Sequence, residues 1–230
     1  MQDRQQASTA AQPERRRLLA VSCAASLGWL VHRQAQASSA EPSAGWPEPS
    51  CAASGTDARR ILVAYASRYG STAGVAEAIG EVLCRLGHQV DVRQAGKVKE
   101  VSPYQAAIIG SAIYAGKWLD EATELVKAQQ PALARLPTAY FLACLTMKDD
   151  TPQARAKSLA YLDPLRKEAP AVLPLAVGLF PGAVDFKKMS FVHRAMLKAM
   201  GAPEGDFRDL AAVKAWSSQL GPALATRRQT

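Results

Sequence analysis

Three short segments of the 230-residue chain concentrate groups able to hold a ligand. The first is Ser67-Arg68-Tyr69-Gly70-Ser71-Thr72, directly after the apolar run Ile61–Ala66. Three aliphatic hydroxyls, a phenol and a guanidinium surround a glycine at the point where a strand would pass into a helix. Backbone N–H groups and the helix dipole at such a junction favour an anion, above all a phosphate. The segment lacks the Gly-Lys-Ser/Thr of a nucleoside-triphosphate loop and the G-x-G-x-x-G of a dinucleotide fingerprint. Taken alone, it reads better as a polar turn that caps a helix.

The second segment is Gly110-Ser111-Ala112-Ile113-Tyr114-Ala115-Gly116-Lys117-Trp118. Small residues at a strand end leave room for a planar ring, and Tyr114 and Trp118 supply aromatic surface for stacking, or else anchor the following helix in the core. The third is Leu145-Thr146-Met147-Lys148-Asp149-Asp150, whose backbone amides could meet the polar edge of the same ring. Hydroxyls in place of glycines suit a terminal monophosphate, so the three segments together point to FMN. No residue stands out as acid, base or nucleophile, because redox chemistry would belong to the flavin.

The elements that must position these loops follow from hydrophobic periodicity. Ile61–Ala66, Gln89–Arg93, Ala106–Gly110, Ala139–Leu145 and Val172–Phe180 read as strands, mostly apolar throughout and so buried on both faces. Helices are expected over 71–86, ended by Gly87, and over 118–129, 151–167, 186–200 and 210–220. Thr151-Pro152 opens the third of these with a cap and a proline at the first helical position. Strands alternating with helices argue an α/β, doubly wound, parallel sheet whose ligand sits beyond the carboxyl ends of the strands.

On Ser67-Arg68-x-Gly70-x-Thr72 and Gly110-Ser111-Ala112-Ile113-Tyr114-x-Gly116, the region from about 60 to 224 resembles the flavodoxin family. Within it, the region is similar to the branch of menaquinone-dependent protoporphyrinogen oxidase. Thr151-Pro152, Met200-Gly201, Asp206-x-Arg208 and Trp216 extend the likeness. The resemblance implies a five-stranded parallel sheet in the order 2-1-3-4-5, one non-covalent FMN, and electron transfer to a quinone. By that analogy the candidate contacts are Ser67, Arg68, Tyr69, Gly70, Ser71 and Thr72 for the phosphate. Ser111, Ala112, Ile113, Tyr114 and Gly116 would flank the ring, and Leu145, Thr146, Met147 and Lys148 would close its other side. The competing function is a carrier that shuttles electrons between protein partners. A third is a scaffold that has lost its flavin.

The N-terminal 60 residues differ in composition. Arg15-Arg16-Arg17 precedes the 14-residue apolar run Leu18–Val31 and then Ala35-Gln36-Ala37. That order matches a signal peptide with a small-residue cleavage site, and the arginines with Leu18-Leu19 resemble a twin-arginine export signal. Residues 1–37 are therefore expected to be a targeting segment and 38–59 a disordered linker. Export to the periplasmic face is the expected location. A cytoplasmic protein with an N-terminal extension is the alternative.

The formal charge of +8 favours anionic partners, but no basic run with interleaved aromatics suggests nucleic acid. Cys23, Cys51, Cys84 and Cys144 form no CxxC pair, so no zinc or iron–sulfur site is expected, and Cys84 and Cys144 read as ordinary buried thiols. Phe186–Lys198 mixes bulky apolar with basic residues. It would either touch an anionic membrane surface or pack Phe191, Met196 and Leu197 on the sheet.

Overall fold

The computed structural model describes residues 45–46, 48–54 and 58–225. The expected targeting segment, its cleavage site and the twin-arginine pattern lie outside the described residues.

The strands β2 (Arg60–Ala66), β3 (Gln89–Gln94), β4 (Ala106–Tyr114), β6 (Thr138–Cys144) and β7 (Val177–Pro181) form a parallel sheet in the order β3-β2-β4-β6-β7. Residues 61–66 of β2 and all of β6 are buried, which explains why they read as unbroken apolar runs. Successive residues of β2 feed opposite layers. Ile61, Val63 and Tyr65 meet α1 (Ser71–Arg85) and α7 (Leu210–Ala225). Leu62, Ala64 and Ala66 meet α2 (Asp120–Ala128), α3 (Gln130–Leu133) and α5 (Asp163–Glu168). Burying each large aliphatic side chain contributes about 2 kcal/mol, so this strand anchors both layers.

Element boundaries depart from the sequence pattern where proline or a tight turn intervenes. The expected helix 151–167 is two helices, α4 (Pro152–Ala160) and α5, because Pro164 has no N–H to bond the preceding turn. The fifth core strand begins at Val177 rather than Val172, since Pro170 and Pro174 interrupt the ladder. Strand β4 runs on to Tyr114 and turns back through Ala115 (φ 49°) and Gly116 (φ 80°) into β5 (Lys117–Trp118). Two consecutive positive φ angles make this a type I′ hairpin turn. Trp118 is thus a strand residue, buried against Tyr140 with ring centroids 5.3 Å apart, the core-anchor alternative of the two expected for it.

Two corrections concern the segment before β2. Residues 38–59 were expected to be a disordered linker, yet Ser50–Cys51 forms β1, an antiparallel edge strand on Asp91 and Val90 of β3. Cys84, expected to be a free thiol, is joined to Cys51 by a disulfide, while Cys144 is a free, buried thiol. Closing a separation of 33 residues removes roughly 3–4 kcal/mol of chain entropy from the unfolded state.

Asp91 on β3 carries the charge balance of this edge. Its Oδ2 accepts from Arg60 Nε and Nη2 at 3.2 and 3.0 Å, and its Oδ1 from Arg93 Nη2 at 3.2 Å. Burial opposes ionisation of Asp91, but bonds from Ser50, Arg60 and Tyr104 and the Arg93 charge outweigh it and hold the carboxyl below its ordinary value. The folded carboxyl therefore releases its proton more readily than the unfolded one. The stability it contributes is complete above the unfolded carboxylate range and is lost as pH falls through the lower folded value. The urea midpoint is expected to drop between pH 6 and pH 3, by less in Asp91→Asn. An equal drop in both proteins would show that Asp91 is not the titrating group.

Candidate functional site

At the carboxyl end of the sheet, β2 passes into α1 through Ser67–Gly70. Gly70 takes the left-handed conformation (φ 86°) that a side chain disfavours, and its N–H donates to Ser67 Oγ at 3.0 Å. As the residue preceding α1 it offers no side-chain cap, so the helix's first-turn N–H groups are left for an outside acceptor. No acidic residue stands in that turn. The Ser71 hydroxyl accepts from Ala183 N at 2.8 Å. Thr72 is the informative residue. It is 0% exposed, and its Oγ1 has no partner. A buried hydroxyl without a partner costs about 1–3 kcal/mol.

A cavity of about 400 Å³ opens beside this turn. The structure brings together Ser67, Arg68, Tyr69, Ser71 and Thr72 from the first loop, Ala112, Ile113, Tyr114 and Gly116 from the β4–β5 hairpin, and Leu145 and Thr146 after β6. Thr146 Oγ1 is fixed by Tyr161 Oη at 3.0 Å. Four expected contacts do not line the cavity. Gly70 shapes the turn from outside it. Ser111 is fully buried, donating to Ala112 O at 2.7 Å and accepting from Leu119 N at 2.9 Å, so it clamps the hairpin. Met147 is core, and Lys148 leans over the Phe207 ring at 5.7 Å beside Asp149. Gly110 has a packing reason as well: a Cβ there would collide with the Phe141 ring on the neighbouring strand.

The far wall of the cavity comes from a segment that was read as a membrane contact or a sheet-packing helix. Between β7 and α7 the chain leaves the sheet, makes β8 (Ala183–Val184), a short turn at Phe186–Lys188, α6 (Phe191–Ala199) and β9 (Gly205–Asp206), and returns. Pairing of β8 with β9 closes the neck of this excursion. Met189, His193, Met196, Leu197 and Met200 turn toward the cavity. Their spacing of three and four was visible in the sequence, but the periodicity does not say which surface a stripe covers.

The attachment of α6 is mainly polar, since the helix has no buried residue. The Tyr69 hydroxyl is hydrogen-bonded to His193 Nδ1, and Arg68 Nη1 lies 3.5 Å from His193 Nε2. The Arg68 guanidinium stacks 4.4 Å from the Tyr114 ring centre, and Tyr114 meets the His193 ring edge-on at 5.1 Å. This cluster joins the phosphate-side loop, the hairpin and the covering helix.

The flavodoxin domain family model matches residues 62–210. The chain belongs to this family. No curated protein sequence matches it. Among solved structures, the chain is similar to oxidised flavodoxin 1 from Bacillus cereus, at 15% identity over 72% of this chain and 96% of that one, with a TM-score of 0.43. It is also similar to a flavodoxin from the domain Archaea, at 20% identity over 73% and 99%, with a TM-score of 0.43. A third is a Fusobacterium nucleatum flavodoxin mutant bound to flavin mononucleotide, at 15% identity over 55% and 71%, with a TM-score of 0.35. In the flavodoxin domain described here, a terminal phosphate fits the turn on two counts: the uncapped first turn of α1 and the partnerless Thr72 hydroxyl within it.

Because α6 is held by its His193 contacts more than by burial, His193→Ala should release it. Amide hydrogen exchange across 191–199 is expected to rise roughly tenfold, while β2 and β6 stay protected. Unchanged exchange in α6 would mean that Met189 and Leu197 hold the helix without the histidine.

Proposed function

We propose that the flavodoxin domain binds FMN non-covalently in this cavity and works as an oxidoreductase of the protoporphyrinogen-dehydrogenase type, with a quinone as electron acceptor. The observation that carries the flavin reading is Thr72, a fully buried hydroxyl without a partner, placed in the first turn of α1 and on the cavity wall. Its Oγ1 and the first-turn N–H groups would hold the phosphate, with Ser67 shaping the turn and Arg68 adding charge. Tyr114, Ile113 and Leu145 would bound the ring. FMN, when bound, supplies one- and two-electron transfer. The protein's part is to orient it, exclude water with α6, and set the charge around it through Arg68.

Two features favour an enzyme over a carrier. A carrier works by presenting its flavin edge to a partner, whereas here Met189, Met196 and Leu197 add an apolar wall to one side of the cavity. The net charge of +8 suits an anionic substrate or surface. The outer side of α6 exposes Phe191 (81%) and Val192 (70%), with Lys198 on the helix and Lys187 and Lys188 in the turn before it, a composition that suits peripheral contact with an anionic membrane, where quinones reside. Among the described residues, no helix is long and apolar enough to cross a membrane. The Cys51–Cys84 disulfide supports the export reading, because such bonds persist mainly in oxidising compartments.

Purified protein should show absorption bands near ~375 and ~450 nm that travel with it, or acquire them on adding FMN. Thr72→Val should weaken FMN binding about tenfold with the fold intact, the loss of one charge-assisted hydrogen bond. Gly70→Val should lose the flavin, since valine resists φ 86°. A colourless protein that ignores added FMN would end the flavin reading. Porphyrin formation from protoporphyrinogen with a soluble quinone would separate enzyme from carrier. Electron exchange with protein partners alone would favour the carrier.

A further inference from the structure

The segment before β2 has no part in the proposed FMN contacts, yet it reaches the phosphate turn. Beyond the Cys51–Cys84 disulfide and the two residues of β1, it is tied down by Glu48. The Glu48 carboxylate accepts from Gln94 N at 2.7 Å and pairs with Lys97 Nζ at 3.0 Å, and its carbonyl accepts from Arg93 Nη1 at 3.0 Å. These ties carry the chain past the carboxyl end of β3 and place the Trp46 ring on Gly70. A Cβ at Gly70 would lie 2.6 Å from Trp46 Cζ3 and 2.8 Å from Cη2. Trp46 is half-buried against the layer that holds Ile61 and Ala73, and it does not line the cavity. It therefore presses on the turn from outside the cavity.

We propose that Trp46 is a positioning residue for the phosphate turn, and that the Cys51–Cys84 disulfide is the redox-sensitive latch that keeps it there. The proposal rests on the FMN reading for its ligand. Glycine visits left- and right-handed backbone conformations with similar ease, so an unsupported Gly70 would spread the turn over several shapes. A ring packed on its Cα removes those alternatives. Apparent ligand affinity scales with the fraction of molecules already in the binding shape, so ordering the turn tightens phosphate binding without any contact to the phosphate. The latch is the disulfide because it is the covalent tie. The others are single hydrogen bonds, among them Val92 N to Pro49 O at 2.9 Å and Ser54 N to Gly87 O at 3.1 Å, and one Lys97–Glu48 ion pair, each of a kind that contributes about 1 kcal/mol. Reduction by a dithiol takes two electrons and two protons. The Sγ–Sγ bond becomes two thiols, the reductant becomes its own disulfide, and the strap is free to leave the turn.

The test compares FMN with riboflavin, which lacks the phosphate, by quenching of flavin fluorescence on the purified full chain. Trp46→Ala is expected to weaken FMN about tenfold and leave riboflavin unchanged, and Trp46→Phe to restore most of the difference. Dithiothreitol should produce the same selective loss in the wild type. The double variant Cys51→Ser/Cys84→Ser should show that loss from the start and ignore the reductant. Hydrogen exchange at residues 70–74, measured without flavin, should rise in Trp46→Ala and in the reduced wild type. An unchanged FMN-to-riboflavin ratio with unchanged exchange in Trp46→Ala would overturn the proposal. Equal losses for both flavins would also overturn it, by showing a general loosening of the domain. If the wild type binds neither flavin, the FMN reading fails by itself, and the exchange measurement alone decides whether the strap orders the turn.

Discussion

The structure turns on the passage from β2 to α1. A strand buried on both faces must end, reverse toward a helix on one layer, and do so within the five residues 66–70. Only a residue tolerant of φ 86° can close that turn, and Gly70 is that residue. Its lack of a side chain has two consequences. The first turn of α1 is left without a cap, so its N–H groups face outward with the positive end of the helix dipole. The space over the Gly70 Cα is open to the Trp46 ring.

The same turn organises the cavity. Ser71 links it to Ala183 at the neck of the excursion, and Tyr69 and Arg68 link it to His193 on α6. A segment inserted between the last core strand and the last helix is thereby folded back over the site. Its inner side is rich in methionine, whose flexible side chains adapt to varied shapes, and its outer side carries phenylalanine and valine among cations. One short helix therefore forms one wall of the cavity, and it is attached by polar contacts that cost less to open than a buried core.

Charge is distributed in keeping with this arrangement. The buried carboxylate of Asp91 lies at the edge of the sheet, away from the cavity, and is neutralised by Arg60 and Arg93. The cavity side has Arg68 and, among the described residues, no acidic lining residue. An anion entering there meets no like charge, while the protein's own carboxylates support the edge where β1 and the disulfide are attached.

The sequence by itself determined the layered α/β architecture, since apolar strand runs and helical stripes follow from burial on one or two faces whatever the partners. It also marked the turn proposed to hold the phosphate, whose chemistry is local: hydroxyls, one arginine and one glycine within six residues. Most of the expected contacts of that turn and of the hairpin do line the cavity. Ser111 and Met147 were misread because a residue at a strand end can point either way, and pairing and packing decide which. The hairpin at Ala115–Gly116, the helix broken at Pro164 and the late start of β7 shifted boundaries for equally local reasons. Only the tertiary structure decided what covers the cavity and what supports the turn from outside. His193 lies 124 residues from Tyr69, and Cys51 lies 33 from Cys84. Contacts across such distances depend on how the whole chain closes, and hydrophobic periodicity has no memory over that range.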